Sequence, residues 1–338
     1  MLGAPLLAVS FLCARTDAAP GASRPAAPVC TIGPLRLTPL PLIPVAINER
    51  GEVLGNDTGR RAALLRPQGR LEELPLPSGF EHSEAVALNA NGTAVAIADD
   101  AAHSRHLAYV VSEGRLKTLA GGAARPFRID DAGLVVGEAV VVDGSRSEPV
   151  LWNTAGAASP VAPRPLGGCC GGTAKVLDGR GTIAGDAYDE AGRYHAFRWR
   201  EGSGLERIDP QDGFSSSLAM NRSGHVLIIA FPKILLASAQ GLEPLKLSPK
   251  GHSHPHALND CDVVVGDSGP FADAARAFAW DRTQGFIDLN TLIEPGSGLT
   301  LKSALDLNNR GEIVGRAEAP REIVRGFLLQ PTHPLDGS

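Results

Sequence analysis

Three histidines at alternate positions, His252, His254 and His256, form the local cluster in this 338-residue chain that could bind a transition metal. Alternate residues of an extended segment point to the same side, so the three imidazoles could converge on one ion. No carboxylate stands beside them in the sequence to orient the rings, as metal-bound histidines usually require. We therefore expect solvated polar side chains that could contact a ligand, with no metal and no cofactor.

Other residue types that could do chemistry lack the pattern that chemistry needs. The serine run Ser215–Ser217 has no Gly-x-Ser-x-Gly elbow of a serine hydrolase. The acidic segments Asp99–Asp100 and Asp186–Glu190 do not have the ligand spacing of a calcium loop. His195 begins a predicted strand whose equivalents begin with arginine, which favours a structural donor to the neighbouring repeat over a general base. The sequence therefore predicts no catalytic residue.

The composition is that of a soluble globular protein. Hydrophobic residues make up 43% of the chain, charged residues 20%, and the formal net charge is −5. Arginine is scattered among acidic residues and does not form a basic stripe, so nucleic acid and anionic lipid are not expected partners.

The first residues have the pattern of a secretion signal. The apolar run Leu6–Cys13 is followed by the small residues Ala18 and Ala19, which is typical of a signal peptide and its cleavage region. We predict a leader over residues 1–20, a linker over 21–32, and a mature protein that is secreted or periplasmic and monomeric. No later segment is long and apolar enough to span a bilayer, so stable membrane insertion is not expected.

Four cysteines remain after the predicted leader: Cys30, Cys169, Cys170 and Cys261. They are too few and too irregularly spaced for a disulfide framework or a zinc site. The adjacent pair lies in a glycine-rich run and could form a vicinal disulfide or remain two thiols.

The strongest pattern is a repeat that must position all these side chains. An apolar run, an Asn or Asp, a four-residue turn and a second apolar run recur seven times, about 38–49 residues apart. That spacing is close to the roughly 40–45 residues of a four-stranded propeller blade. The seven anchor residues, as we call the Asn or Asp of each copy, are Asn48, Asn89, Asp130, Asp178, Asn221, Asn259 and Asn308.

Each copy reads as a β-hairpin followed by two further strands. Ile, Leu or Met always precedes the anchor, so that position must face a core. Three residues further upstream the side chain is small or Pro, as expected where strands converge near an axis. An anchor oxygen can accept from the backbone two residues on, and Gly ends the turn with a positive φ, a role that Asp262 takes in the sixth copy.

These strands predict an all-β fold, a seven-bladed β-propeller of four-stranded antiparallel blades over residues 33–330, with 331–338 as a tail. The last copy ends after its third strand, Gly326–Gln330. The segment from about 33 to 40 has the pattern of the missing fourth strand. We predict that it completes the last blade, because this removes an exposed sheet edge.

The repeat resembles the HAF-repeat family of predicted extracellular bacterial proteins. Its His-Ala-Phe strand with a following Trp matches in full at His195–Phe197 with Trp199, and in part at Arg276–Phe278 with Trp280. Its hairpin matches at Asn48–Gly55 and Asn308–Gly315, whereas copies two and five depart from it at Ala96 and Ile228. The resemblance implies secretion and a propeller-like fold, and it implies no reaction or ligand.

In such a propeller, the loops that lead into the first strands gather on one face around the channel, where ligands usually bind. The candidate binding residues there are His82, Arg125, His252, His254 and His256. We predict a non-enzymatic recognition or scaffold module for a protein or carbohydrate ligand. The alternative is a propeller hydrolase or lyase with its site at the channel mouth.

Overall fold

The computed structural model describes residues 30–140, 147–155, 164–166, 171–209, 213–248, 252–270, 274–319 and 322–332. These residues form strands β1 to β28 and one 3₁₀ turn, Leu289–Thr291. The strands make seven four-stranded antiparallel sheets, which surround a central channel as the blades of a propeller. The fold predicted from the repeat is confirmed. The predicted leader and the pair Cys169–Cys170 lie outside the described residues.

The blades follow one another along the chain, and the first strand of each lies innermost. Blade 1 contains β2 (Ile43–Ile47), β3 (Val53–Asn56), β4 (Ala62–Leu65) and β5 (Leu71–Glu73). Blade 2 contains β6 (His82–Leu88), β7 (Ala94–Asp99), β8 (His106–Ser112) and β9 (Arg115–Thr118). Blade 3 contains β10 (Gly122–Ile129), β11 (Leu134–Val140), β12 (Ser147–Asn153) and β13 (Arg164–Pro165). Blade 4 contains β14 (Gly172–Leu177), β15 (Thr182–Tyr188), β16 (Tyr194–Arg200) and β17 (Gly204–Arg207).

Blade 5 contains β18 (Ser215–Met220), β19 (Val226–Ala230), β20 (Lys233–Ser238) and β21 (Gly241–Leu245). Blade 6 contains β22 (His252–Leu258), β23 (Val264–Gly269), β24 (Arg276–Asp281) and β25 (Gly285–Asp288). Blade 7 contains β26 (Thr300–Leu307), β27 (Ile313–Ala319), β28 (Glu322–Pro331) and β1 (Leu35–Leu40).

The ring closes where the sequence predicts. Strand β1 pairs antiparallel with β28, with Leu37 opposite Leu329, and so supplies the outer strand of blade 7. Residues 30–32, assigned to the linker from the sequence, belong to the folded unit instead. Ile32 is buried and its backbone N–H donates to Asp281 Oδ2 at 3.2 Å.

A disulfide joins Cys30 to Cys261, with the two Cα atoms 4.9 Å apart. The sequence spacing did not predict this pair, because the two residues are 231 positions apart and only the closed ring brings them together. The bridge ties the start of the folded unit to the anchor turn of blade 6.

The anchor turns have the predicted geometry. In blade 1, Asn48 Oδ1 accepts hydrogen bonds from the backbone N–H of Arg50 and of Glu52, both at 3.0 Å. Gly51 closes the turn at φ 75°, and Asp262 takes the same role in blade 6 at φ 63°. The left-handed conformation is accessible to Gly and tolerated by Asp, which explains the turn residues.

Every inner strand also carries a β-bulge that sequence alternation did not predict. The extra residue follows the small residue of the repeat, so the register shifts by one in each first hairpin. The bulge lets neighbouring residues of a strand turn towards the channel and towards the next blade. The bulged residues are Val45, Val86, Phe127, Lys175, Leu218, His256 and Leu305.

In the blades that carry it, the closing glycine of the repeat lies close to a carbonyl oxygen of the bulged strand. In blade 7, Gly315 lies opposite Ala304, and a Cβ atom on Gly315 would lie 2.0 Å from the carbonyl oxygen of Ser303. The equivalent distance at Gly185 in blade 4 is also 2.0 Å, to the Thr173 oxygen. Blades 2 and 5 carry Ala96 and Ile228 at this position and still form complete four-stranded blades.

The hydrophobic core lies between neighbouring blades. Val95 and Val110 of blade 2, for example, pack with Val135 and Trp152 of blade 3, and all four are buried. Burial of this apolar surface is the main force holding one blade against the next.

Candidate functional site

The two faces of the propeller differ in how their residues are used. The turn face carries the seven anchor turns. The loop face carries the loops that lead into the inner strands and those that join the second strand of each blade to the third.

At the turn face the channel is lined by residues that recur in every blade. A cavity of about 200 Å³ is ringed by the anchor turns. The apolar residue before each anchor lines this cavity. The core that this position was expected to face is therefore the end of the channel at the turn face. These residues are Ile47, Leu88, Ile129, Leu177, Met220, Leu258 and Leu307.

Anchor side chains connect blade to blade around this mouth. The Nδ2 groups of Asn48 and Asn89 donate to the backbone carbonyl of the next anchor, at 3.0 and 2.8 Å, and so do those of Asn221 and Asn308, at 3.1 and 3.0 Å. An ionised Asp has no such donor, so Asp130 and Asp178 cannot make this bond. Burial raises the pKa of Asp130, against the opposing effect of backbone N–H groups including that of Leu134.

Charged residues on the rim of this mouth are paired with one another. Arg222 Nη2 contacts Asp131 Oδ2 at 3.2 Å across the channel. Asn309 Nδ2 donates to Glu49 Oε1 at 2.9 Å and to Asp260 Oδ2 at 2.8 Å. Burial raises the pKa of Glu49, although the Asn309 hydrogen bond and the Arg222 charge oppose the rise. These rim residues therefore help to hold the ring together, because their polar groups are bonded to one another.

One carboxyl inside the channel has a strongly shifted pKa. Burial raises the pKa of Asp306 to about 6, and the positive charge of Arg128 opposes the rise. Asp306 Oδ2 accepts the backbone N–H of Ile47 at 2.9 Å, across the junction of blades 7 and 1. This bond gives Asp306 a structural role in closing the ring.

On the loop face, two of the predicted binding residues meet a carboxylate. Asp267 lies 3.0 Å from His254 Nδ1 and 2.7 Å from His256 Nε2, and Ser303 Oγ of blade 7 donates to it at 3.0 Å. The expectation that no carboxylate accompanies these histidines is wrong. Strand pairing brings the carboxylate to the histidines, because His254 lies opposite Asp267 in the first hairpin of blade 6. The register of that hairpin was the sequence signal that could have predicted this contact.

The Asp267 cluster is arranged as a structural clamp. Burial disfavours the ionised form of Asp267, but hydrogen bonds from His256, His254 and Ser303 outweigh burial and hold its pKa below the usual range. Blade 4 has a similar clamp, in which Asp186 accepts from Ser216 Oγ and also contacts Lys175 Nζ. Both carboxylates bind the next blade.

The five predicted binding residues do not form one site. His82 stacks on His103 in blade 2, with ring centroids 5.8 Å apart. The Arg125 guanidinium lies 5.6 Å from the ring centroid of Phe127 in blade 3. His252 lines a groove between blades 5 and 6. His254 meets His256 at Asp267 and also lines the groove with His252, whereas His82 and Arg125 lie apart in other blades.

His195 has the structural environment that its position in the repeat predicts. Its Nδ1 lies 2.9 Å from Asp209 Oδ2 and its Nε2 lies 3.1 Å from Asp189 Oδ2. Asp209 also accepts from Ser215 Oγ at 2.6 Å, which links the strand to blade 5. Within the described ranges, no three His, Cys, Asp or Glu side chains are grouped as a metal ion would need.

The sequence reasoning missed a group of exposed aromatic residues on the loop face. Tyr188 is 46% exposed, Tyr194 39% and Phe214 55%. Tyr194 lies in contact with both others, at centroid distances of 6.1 Å to Tyr188 and 5.3 Å to Phe214. We call these three residues the aromatic patch. Its members come from the loop of blade 4 and from the loop that leads into blade 5.

A second feature of the loop face is a groove between blades 5 and 6, with a volume of about 820 Å³. Phe231, at the tip of the β19–β20 loop, lies at its edge and is 76% exposed. The aromatic residues exposed on the described surface therefore all belong to the loop face of blades 4 and 5.

Comparison with known proteins gives the fold. No protein-family model and no curated protein sequence matches the chain. Among solved structures, a catalytically inactive virginiamycin B lyase from Staphylococcus aureus with quinupristin matches at a TM-score of 0.55. The two share 12% identity, and the match covers 88% of this chain and 99% of that chain.

Two other solved structures match over most of this chain. YCF48 bound to D1 peptide matches at a TM-score of 0.53 and 13% identity, over 90% of this chain and 98% of that one. A prolyl endopeptidase structure matches at 0.56 and 10% identity, over 89% of this chain and 51% of that one. These similarities establish a propeller and carry no activity with them. Within the described residues, no helix is long and apolar enough to span a membrane.

Proposed function

We propose that this chain is an extracytoplasmic propeller of the HAF-repeat type that recognises a protein ligand, binding a peptide segment of it on the loop face of blades 4 and 5. The aromatic patch of Tyr188, Tyr194 and Phe214 is the observation that carries the proposal. Exposed apolar patches mark interaction sites, and aromatic residues supply much of the energy at protein interfaces.

The geometry of the patch favours a peptide over a sugar. Tyr188 and Tyr194 meet at 83° and Tyr194 and Phe214 at 51°, so the rings do not form one flat platform on which a sugar ring could stack. Rings inclined at such angles present edges as well as faces to a ligand, which suits apolar side chains and backbone groups. YCF48, a propeller of similar size, has been solved with a bound peptide.

Two carboxyls with shifted pKa values, Asp267 on the loop face and Asp306 in the channel, favour recognition over catalysis. A general acid or base needs a pKa near the working pH and access to a substrate. Asp267 is instead held ionised by His256, His254 and Ser303, with its pKa lowered. Asp306, the carboxyl with a pKa of about 6, is bound to the backbone of Ile47.

The disulfide between Cys30 and Cys261 supports the proposed location. Structural disulfides form and persist in the bacterial periplasm and outside the cell, and are rare in a reducing cytosol. The apolar segment Leu6–Cys13 has the sequence pattern of the leader that such a location requires, which also supports the proposal.

Selection of peptides from a random phage-displayed library on the purified chain tests the proposal. Selected peptides should bind the wild type in solution and lose at least about tenfold in affinity to Tyr188→Ala and to Phe214→Ala, because each loses buried aromatic area. Leu71→Ala is the matched control, since Leu71 is 39% exposed on the outer strand of blade 1.

The same variants are applied to a carbohydrate array. Peptide binding that is lost only in the aromatic variants supports the proposal. Failure to select any peptide, or carbohydrate binding that depends on the patch, contradicts it.

A further inference from the structure

We infer that the groove between blades 5 and 6 binds an acidic segment of the peptide ligand, with an apolar side chain inserted between its acidic residues. The inference rests on the proposed function and adds the chemistry of the ligand. The groove adjoins the β19–β20 loop of blade 5, the blade that also contributes Phe214 to the aromatic patch.

The floor of the groove is apolar. Ile234 and Leu247 are buried beneath it, Phe286 lines it from blade 6, and Phe231 projects at its edge. Its volume of about 820 Å³ falls in the range of roughly 300–1,000 Å³ that is usual for ligand sites. An apolar side chain bound in the groove would be removed from contact with water, and so would the apolar groove residues that it covers.

The rim of the groove is basic. Lys233 and Lys246 are exposed and line it, and no Asp or Glu lines it in the part of the chain that the structure describes. His252 and His254 also line it, and His254 is already paired with Asp267. The whole chain has 37 acidic and 32 basic residues, so this groove reverses the overall charge balance. Local charge complementarity of this kind selects acidic partners.

The two groove lysines also differ from lysines elsewhere in the described structure. Lys175 is paired with Asp186 and Lys302 with Glu318, and Lys117 Nζ donates to the Thr154 carbonyl oxygen at 2.9 Å. Among the described residues, Lys233 and Lys246 have no hydrogen-bond or ion-pair partner for their ammonium groups. Their charges are therefore available to a ligand, whereas the charges of Lys175 and Lys302 are already paired.

The test uses three fluorescent peptides of equal length with a central Phe-Leu pair, flanked by Asp and Glu, by Ser, or by Lys. Fluorescence anisotropy measures their affinity for the full chain and for the double variant Lys233→Glu with Lys246→Glu. Arg180→Glu is the matched charge reversal, because Arg180 is exposed on the turn face. Melting temperatures check that each variant is folded.

We expect the acidic peptide to bind the wild type best, to lose at least about tenfold in the double lysine variant, and to be unaffected by Arg180→Glu. Its affinity should also fall between about 50 mM and about 500 mM salt, since exposed charge pairs are screened.

Tighter binding of the Ser or Lys peptide, or an unchanged acidic-peptide affinity in the double variant, overturns the inference. If library-selected peptides bind through the aromatic patch and are not acidic, this inference fails and the proposed function stands. If no peptide of any charge binds and the library selection also fails, both fail.

Discussion

The turn face and the loop face are made from the same seven hairpins, and they use their residues differently. On the turn face, the anchor, the residue before it and the turn Gly recur from blade to blade, and their polar groups bond one another. On the loop face, exposed aromatic residues occur only at blades 4 and 5 within the described residues, and the basic groove lies beside blade 5. Residues that recur around the ring build it, and residues that break the recurrence are available for recognition.

The first prediction breaks the ring itself. Deleting residues 30–42 removes β1, the disulfide to Cys261 and the buried side chain of Ile32, and exposes the edge of β28. We expect the melting temperature to fall by more than about 10 °C, because closure, a core layer and a long-loop disulfide are lost together.

Differential scanning calorimetry of the deletion and of the wild type measures this effect. Deletion of the predicted leader alone is the control and should leave the melt of the mature unit unchanged. An unchanged melt in the longer deletion would contradict the closure described for blade 7.

The second prediction perturbs one hairpin. Gly315→Ala places a Cβ atom 2.0 Å from the Ser303 carbonyl oxygen and 2.5 Å from the Phe327 ring, so the bulge of blade 7 must shift. We expect a loss of about 2–4 kcal/mol in unfolding free energy, measured by urea denaturation. Gly213→Ala on the loop face is the control, since its Cβ would meet no atom within 4 Å. Equal effects at the two positions would show that the close approach of the Ser303 oxygen does not exclude a Cβ atom at Gly315.

Much of the turn face could be predicted from sequence, because its chemistry is local. An Asn or Asp followed three positions later by Gly specifies the turn without knowledge of the rest of the chain, and Asp262 takes the place of that Gly in blade 6. The role of β1 could also be predicted, because the last repeat visibly lacks a strand. The β-bulges could not, since one extra residue such as Val45 changes register only relative to its partner strand.

The loop face was predicted poorly for a physical reason. Its contacts join residues of different loops, so no local pattern indicates them. Tyr194 and Phe214 meet only because blades 4 and 5 are neighbours. His252, His254 and His256 looked like one cluster, but the bulge at His256 and the pairing with Asp267 separate their roles.

The third prediction concerns the difference between blades whose anchor is Asn and blades whose anchor is Asp. Asn89→Asp replaces the amide that donates to the Asp130 carbonyl at 2.8 Å with an oxygen, so it should cost about 1–3 kcal/mol at neutral pH. Asp130→Asn makes the opposite change and supplies a donor of the kind found in the Asn blades. It should stabilise the chain by about 0.5–1.5 kcal/mol at pH 7.

The gain from Asp130→Asn should depend on pH. Burial raises the pKa of Asp130 above the ordinary value of 3.8, so the folded state holds this proton more tightly than the unfolded state. The wild type therefore loses stability from this group as pH rises through the raised pKa, and the advantage of Asn should shrink as pH falls towards about 4. Urea denaturation of both proteins between about pH 4 and pH 7.5 measures the difference. A gain that is constant over this range would contradict the assignment to Asp130 ionisation.

The smallest expected loss of stability is at the exposed aromatic residues of the loop face. It is also the most direct test of the difference between the two faces. Phe231→Ala, at a side chain that is 76% exposed, should change the unfolding free energy by less than about 0.5 kcal/mol. Tyr188→Ala and Phe214→Ala, at side chains that are 46% and 55% exposed, should change it by less than about 1 kcal/mol. Phe327→Ala, at a fully buried ring in blade 7, should cost about 3–5 kcal/mol and is the reference for a structural aromatic residue. If Phe231→Ala or Phe214→Ala approached that cost, the aromatic residues of the loop face would be framework, and the division between the two faces would not hold. If they remain near zero while peptide binding is lost, their exposure serves recognition, because it contributes almost nothing to the fold.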